Sequence, residues 1–249
     1  MMWQVWHLAA SRRTQTLNRH LAYHLAWVAG VLNSVGFVAV GFYTSHMTGI
    51  TASVADHVVL GDWRIVWLGA LALVFFLLGA MTCAVQFNWA RRRPHHHDQR
   101  FALVLLTEAV LVLLVGGIAD QVTSGVRVWP LVATLGFIMG LQNALITKVS
   151  DATIRTTHVT GMVTDIGIEL GKGLYRNRLD EHAAAPVRAD LSKLWMLTAL
   201  VGLFFVGGLM GAAGYLLAGF VVVLVPAALL FAMALPPLVL ARRAARSPA

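Results

Sequence analysis

The sequence is poor in charged residues. Asp, Glu, Lys and Arg make up only 12% of its 249 residues, whereas hydrophobic residues make up 58% and the mean hydropathy is +0.73. Soluble globular domains carry about 25% charged residues. The composition therefore excludes an ordinary soluble domain and predicts an integral membrane protein, whose immediate partner is the lipid bilayer.

Cysteine is almost absent, and the common catalytic patterns are missing. The one cysteine, Cys83, lies inside an apolar run, which excludes a disulfide framework and a thiolate metal centre. The sequence has no phosphate-binding P-loop, no nucleophile elbow and no His-Glu-x-x-His zinc motif. We therefore predict no catalytic residues, no metal site and no cofactor.

Acidic residues are scarce as well, with 11 Asp and Glu against 19 Lys and Arg, which gives a formal net charge of +8. In a soluble protein this excess would suggest nucleic acid as a partner. Here the basic residues lie between the apolar runs, where the positive-inside rule places them in membrane proteins. We therefore expect no nucleic-acid partner.

Long apolar runs account for most of the chain. Six of them are long enough to cross about 30 Å of hydrocarbon, and we predict a transmembrane helix for each. The six runs are residues 21–43, 66–89, 101–119, 129–147, 194–216 and 218–240.

A short polar motif occurs twice between these runs. Residues 45–51 and 157–163 share the pattern His-x-Thr-Gly, and a Gly-x-x-Asn segment precedes each of them, at 30–33 and at 140–143. This self-similarity indicates an internal duplication. The apolar segments downstream of the two motifs, 73–76 and 201–205, also resemble each other.

The segments that contain the motifs, 44–61 and 155–173, are too polar to span the membrane comfortably. If both are re-entrant, entering and leaving on the same side, the basic residues of both termini and of the loops around 91–97 and 172–178 all face the cytoplasm. If both crossed instead, Arg91-Arg92-Arg93 would lie outside, against the positive-inside rule. We therefore predict two re-entrant half-helices and cytoplasmic N- and C-termini.

The predicted fold class is an all-α integral membrane protein with six transmembrane helices and two re-entrant half-helices in a 3+3 inverted repeat. An odd number of spans in each repeat turns the second copy upside down, and inverted repeats are common in transporters, with the solute site near the midplane. The predicted units are a cytoplasmic N-terminal segment (1–20), a first membrane repeat (21–119), a second membrane repeat (129–240) and a basic cytoplasmic tail (241–249).

Each motif is expected to reach mid-membrane at the N-terminus of its half-helix. Thr48 and Thr160 are the expected N-caps, and the glycine after each allows backbone or ligand to approach closely. Two helix N-termini at one place would suit an anion or an electron-rich polar group. The predicted substrate-binding residues are Asn33, His46, Thr48, Gly49, Gln142, Asn143, Arg155, His158, Thr160 and Gly161.

For three kinds of residue two roles remain open. The two motif histidines could line the solute site or could fix the loops by bonding neighbouring carbonyls. Asn33 and Asn143, inside apolar runs, could bond the loop backbone or could face the solute. Glu108 lies well inside a span, where a carboxyl group is costly and should face the protein interior; it is either a proton relay or a partner in a buried structural hydrogen bond.

Other residues carry structural expectations. Asp165, Glu169 and Lys172 share one helical face and are expected to be solvated or ion-paired. Trp27 is expected at the inner membrane interface, and Pro226 is expected to kink the last span.

The motif segments resemble a known family. The segments 46–49, 139–143 and 155–161 resemble the signatures of the YoaK-like family of bacterial inner-membrane proteins, which read close to F-M-T-G-N-T in the first motif and G-L-Q-N followed by R-T-T-x-x-T-G in the second. The resemblance extends from about residue 27 to 240. Ile50 and His46 depart from the usual family residues, Asn and an aromatic. The resemblance implies a multi-pass protein of the bacterial inner membrane, but the family is a domain of unknown function and implies no substrate.

The function that these observations favour is a transporter or channel for a small polar or anionic solute, with a proton as the candidate coupling ion. One alternative is a membrane-embedded enzyme that uses His158 with Asp165 as an acid–base pair. Another is a sensor or assembly protein that transports nothing. Homo-oligomerisation is left open.

Overall fold

The computed structural model describes residues 15–93, 99–122, 124–150, 156–177 and 186–244. Over these ranges the chain is helical and contains no β-strand. Arg155, the histidines at 95–97 and most of the predicted cytoplasmic N-terminal segment lie outside the described residues.

Eight α-helices follow one another in the described ranges, and two 3-10 turns interrupt the series. The 3-10 turns are Ala119–Gln121 and Gly219–Val223. The helices are α1 (Gln15–Val40), α2 (Met47–Leu60), α3 (Trp63–Arg91), α4 (Arg100–Ile118), α5 (Ser124–Val149), α6 (Val159–Leu174), α7 (Leu191–Ala218) and α8 (Leu224–Ala244).

Length and composition make this a multi-pass membrane protein. In the described ranges, five helical segments are long and apolar enough to cross a membrane, and the last of them, Leu191–Val239, is 49 residues long and contains both α7 and most of α8. Large apolar side chains such as Trp67, Leu77 and Leu217 are exposed on the outer surface. Lipid would cover such side chains in a membrane.

The helices pair across the sequence. α1 packs most extensively on α7, α3 packs on α5, and α4 packs on α8. Glycine permits the first two contacts, because a Cβ at Gly30 would overlap the Phe204 carbonyl of α7 and a Cβ at Gly140 would overlap the Phe76 carbonyl of α3. The duplicated Gly-x-x-Asn segments therefore lie at equivalent helix crossings.

The two helices that follow the motif histidines are short. α2 has 14 residues and α6 has 16, so at about 1.5 Å per residue they are roughly 21 and 24 Å long. Both are shorter than the ~30 Å of a hydrocarbon core. α2 packs on α3, which follows it, and α6 packs on α7 in the same way.

Two sequence expectations concern single residues within the helices. Trp27 lies midway along α1 rather than at its end; its indole N–H donates to Met210 Sδ on α7 at 3.4 Å. Pro226 lies in the first turn of α8, where a missing N–H breaks no intrahelical bond. The preceding helix α7 ends before it, at the C-cap Gly219, which has φ of 63°.

Gly207→Ala should lower the free energy of unfolding by about 1–3 kcal/mol, the usual cost of overpacking, because a Cβ there would overlap the Trp27 carbonyl of α1. Gly202→Ala is the matched control on α7, since no atom lies within 4 Å of its Cβ position. The control should leave stability unchanged or raise it by up to ~1 kcal/mol. Unfolding of both variants in the same detergent measures the difference, and equal stabilities would contradict the close α1–α7 contact.

Candidate functional site

An amide and a hydroxyl fix the loop before each short helix. In the first motif, the Ser45 hydroxyl donates to Asn33 Oδ1 at 2.8 Å, and the Ser45 N–H donates to the same oxygen at 3.3 Å. In the second, the Thr157 hydroxyl donates to Asn143 Oδ1 at 2.5 Å. Both asparagines thus bond the interrupted chain, as one of the two predicted roles requires.

Each short helix begins immediately after its histidine. His46 and His158 are the N-cap residues, and their carbonyls accept the first helical bonds, from Ile50 N at 2.9 Å and Met162 N at 3.1 Å. The prediction that Thr48 and Thr160 are the N-caps is wrong, since both lie in the first turn. The asparagine bonds the residue just before each histidine, and the helix starts directly after the histidine. This start is two residues earlier than a threonine N-cap would give.

The glycine of each motif makes room for the histidine. A Cβ at Gly161 would lie 2.5 Å from His158 Nδ1, and one at Gly49 would overlap the His46 ring. Each imidazole therefore folds back over the first turn of its own helix. The sequence predicted a close approach at these glycines, and the structure identifies the approaching group as the histidine ring.

Both motifs line one cavity of about 610 Å³. Twelve of its fourteen lining residues form six pairs that match between the two halves, and the other two are Tyr43 and Thr147. The pairs are Asn33 with Asn143, Ser45 with Thr157, His46 with His158, Met47 with Val159, Thr48 with Thr160, and Phe76 with Phe204.

The cavity wall offers neutral polar groups. Among the described residues that line it, none is Asp, Glu, Lys or Arg. The hydroxyls of Thr48 and Thr160 lie in the first turns, and the first N–H groups of α2 and α6 have no carbonyl partner within their own helices. The positive ends of two helix dipoles therefore lie at a wall whose described residues carry no carboxylate.

Most of the predicted substrate-binding residues come together at this cavity. Six of them line it, and Gly49 and Gly161 lie directly behind the two histidines. Gln142 does not line it: the side chain is buried, and its amide N–H donates to the Leu25 carbonyl of α1 at 2.5 Å. Arg155 is outside the described residues. The six at the cavity are Asn33, His46, Thr48, Asn143, His158 and Thr160.

Sequence reasoning missed the aromatic part of the wall. Phe76 and Phe204 line the cavity from α3 and α7. The resemblance between 73–76 and 201–205 signals an aromatic position in each half, but aligning the two Phe-Phe pairs would match Phe76 with Phe205. The helix crossings match Phe76 with Phe204 instead, since their carbonyls meet Gly140 and Gly30. Tyr43 had no such signal, because no matched residue in the described chain corresponds to it.

Glu108 lies apart from the cavity wall. Its side chain on α4 is fully buried, and neither carboxyl oxygen has a hydrogen-bond partner among the described residues. No described residue therefore supplies the partner that a structural hydrogen bond of Glu108, its alternative role, would require. A carboxyl group in this environment is far less costly as the neutral acid.

The charged face of α6 is ion-paired, which confirms one of the predicted alternatives. The Glu169 carboxylate is bonded by Lys172 at 2.9 Å, and Lys193 of α7 lies 3.6 Å from Asp165. Asp165 is seven residues beyond His158, or about 10 Å along the helix, and it faces α7. An acid–base pair of His158 with Asp165 therefore has little geometric support.

Gly161→Ala is expected to retain the fold but to displace the His158 ring, because the Cβ would meet a movable side chain rather than backbone. Gly167→Ala, an exposed position on α6 with nothing within 4 Å, is the matched control. NMR of ¹⁵N-histidine-labelled protein measures the effect, with the His158 signals assigned by their loss in His158→Asn. The His158 signals should shift in Gly161→Ala alone; unchanged signals in both variants would contradict the glycine's role.

The comparisons with known proteins give a family. The family described as "Protein of unknown function (DUF1275)" matches residues 21–235, and this match is consistent with the resemblance to YoaK-like proteins. No curated protein and no solved structure matches the chain. Because the match covers most of its length, the protein belongs to this family of unknown function, DUF1275.

Proposed function

We propose that the protein is a membrane transporter or channel for a small polar or anionic solute. The observation that carries the proposal is the cavity of about 610 Å³ whose wall consists of six matched pairs, one member from each half of the chain. Ligand sites at the interface of structural repeats are typical of transporters.

The proposed arrangement is a 3+3 inverted repeat with six spans. α7 and α8 count as separate spans because their 28 and 21 residues would each cross the hydrocarbon core, at about 42 and 32 Å. Gly219 divides them. α2 and α6 are the re-entrant half-helices, since each is too short to cross and each packs against the helix that follows it.

The cavity chemistry favours a solute that accepts hydrogen bonds. Asn33 Oδ1 and Asn143 Oδ1 already accept bonds from the loop hydroxyls, so these amide oxygens of the wall are engaged by the protein itself. The threonine hydroxyls and first-turn N–H groups remain as donors. A small anion or a polar molecule with several oxygens is complementary to such a wall.

Glu108 is the candidate for proton coupling. Glu108 is a fully buried carboxyl group inside a span and has no hydrogen-bond partner in the described chain, and ionisable residues in such places commonly belong to proton relays. Since Glu108 does not line the cavity, coupling would act through a change in the packing of α4 rather than through contact with the solute.

Localisation follows the same proposal. The protein is placed in the bacterial inner membrane, with both termini in the cytoplasm, because the basic residues of the termini and of the segment around 91–93 then lie on the inner side. The turn between α2 and α3 at Gly61–Asp62 would face the outside.

Cysteine labelling tests this topology. Asp62→Cys and His96→Cys are made singly in a Cys83→Ala background, which removes the buried native thiol. An impermeant thiol reagent applied to intact cells should label the Asp62 position alone, and both positions should label after lysis. Labelling at the His96 position in intact cells would mean that α2 crosses the membrane, which would overturn the re-entrant arrangement.

Flux into proteoliposomes tests the function, with chloride, acetate, phosphate and glycerol as probes. The double variant Thr48→Val/Thr160→Val, which removes the cavity hydroxyls, should reduce the flux of the transported probe at least tenfold. Its matched control is Thr51→Val/Thr164→Val, since these hydroxyls bond carbonyls of their own helices at 2.8 and 2.9 Å and do not line the cavity. The control should retain wild-type flux.

Glu108→Gln should remove the response to an imposed pH gradient while downhill flux of the same probe persists.

Equal flux in the two threonine double variants would contradict the assignment of the cavity as the solute site. No flux of any probe above that of protein-free liposomes would contradict transport of these solute classes and would favour the enzyme or the sensor alternative.

A further inference from the structure

A buried carboxylate fastens the far end of α6 to α7. Glu169 is 1% exposed, its Oε2 accepts the Asp190 N–H at 2.9 Å, and its Oε1 accepts from Lys172 at 2.9 Å. The Lys193 ammonium lies 3.7 Å from the same Oε1. Asp190 in turn is the N-cap of α7 and accepts the Lys193 N–H at 3.0 Å. Glu169 therefore binds the first turn of α7 at both the backbone and a side chain.

In the first half, the described residues form no such bond at the matching place. His57 is the eleventh residue after His46, as Glu169 is the eleventh after His158. The His57 ring instead bonds Ser53 of its own helix, through the hydroxyl at 3.3 Å and the carbonyl at 2.7 Å. There, α2 and α3 are separated only by the turn Gly61–Asp62, in which Gly61 has φ of 76° and Asp62 N–H donates to the His57 carbonyl at 3.0 Å.

The length of the connection explains the difference. α6 and α7 are joined by residues 175–190, whereas α2 and α3 are joined by two residues. A long connection restrains its ends less than a tight turn does, because the entropy lost on fixing the ends grows with loop length. Asn177 and Val187 exchange two hydrogen bonds within this connection, at 3.0 and 2.8 Å, but these bonds do not reach α6 or α7 itself. The Glu169 bonds, by contrast, join α6 directly to the start of α7.

We propose that Glu169 is a positioning residue that fixes α6 against α7 and thereby holds the second motif, His158 to Gly161, at the cavity. Gly161 lies eight residues before Glu169, or about 12 Å along a rigid helix. A shift at the Glu169 end is therefore transmitted to the cavity wall. The inference rests on the proposed function only in so far as this cavity is taken as the solute site.

The electrostatics of the cluster agree with this role. The Asp190 N–H, followed by the Lys172 ammonium, holds the pKa of Glu169 below its ordinary value of 4.5, against the opposing effect of burial. A group whose pKa is lower in the folded state stabilises the fold above its unfolded pKa, and that contribution is lost as the pH falls through the folded value. The anchor is thus expected to persist at neutral pH and to be lost only below about 4.5, with Lys172, Lys193, Asp165 and Asp190 as its charged neighbours.

Hydrogen–deuterium exchange of the full chain in lipid nanodiscs tests the proposal at neutral pH. Glu169→Gln should raise amide exchange over Val159–Leu174 at least tenfold and leave Met47–Leu60 at the wild-type rate. Asp165→Asn is the matched control one turn away; its carboxylate is 44% exposed and lies 3.6 Å from Lys193, so exchange should stay close to wild type. Equal effects of the two variants, or an effect on both short helices, would overturn the proposal.

An engineered disulfide between α6 and the segment before α7 tests the positioning role independently. A Cβ at Gly173 would lie 3.7 Å from the Ala189 Cβ, which is within the usual disulfide range of about 3.5–4.5 Å. The cysteine pair Gly173→Cys/Ala189→Cys is added to the Glu169→Gln variant in the Cys83→Ala background. When the disulfide is oxidised, amide exchange of α6 should become slow again, and reduction of the disulfide should reverse this effect. Failure of the formed disulfide to restore α6 would contradict the positioning role.

The exchange readout separates this inference from the proposed function. If Glu169→Gln loosens α6 and the disulfide restores it while the wild type transports none of the probes, the positioning role stands and the transport proposal fails. If the wild type transports a probe, Glu169→Gln should reduce its flux at least threefold, and the oxidised disulfide should restore it. Wild-type flux in the loosened variant would contradict a link between the anchor and the cavity.

Discussion

The bond between an asparagine amide and a loop hydroxyl is the interaction on which the candidate site depends. Where a helix is interrupted inside a membrane protein, the freed backbone must be bonded by protein or by water in a cavity. Asn33 and Asn143 supply part of that bonding from neighbouring helices, and each fixes the residue immediately before a motif histidine. The start of α2 and α6, the direction of the imidazoles and the placement of the threonines all follow from that fixed point.

Two glycines at the helix crossings set the positions of the two asparagine-bonded loops relative to each other. Gly30 and Gly140, each three residues before its asparagine, let α1 approach α7 and α5 approach α3 backbone to backbone. Each of these pairs joins one helix from residues 21–119 to one from 129–240. The two proposed repeats therefore interlock, and the cavity is formed at their interface rather than within either one. Neither repeat could build the cavity wall alone.

Much of this could be predicted from the sequence, and the exceptions have identifiable causes. Hydropathy and the repeated motif predicted the helices, and recurrence predicted the six site residues that line the cavity, because both signals are local. Gln142 was misplaced because its orientation depends on the side of α5 that meets α1, which periodicity does not specify in a helix apolar all round. The N-caps were misplaced because the decisive bond comes from an asparagine 12 or 14 residues away in the chain.

The two halves are alike at the cavity and unlike where they are supported. The walls match pair by pair, but the aromatic stack of Phe37 on Tyr43, with ring centroids 4.3 Å apart, lies beside the first motif only; Thr147 occupies the place of Phe37 beside the second. A tight turn supports α2, and a buried carboxylate supports α6. A cavity with matched walls can bind a solute similarly from either side, whereas its opening to either side depends on the mobility of the supporting elements. Under the proposed transport function, a preference for one side would therefore arise from the difference between these supports, because the described wall residues match except at Tyr43 and Thr147.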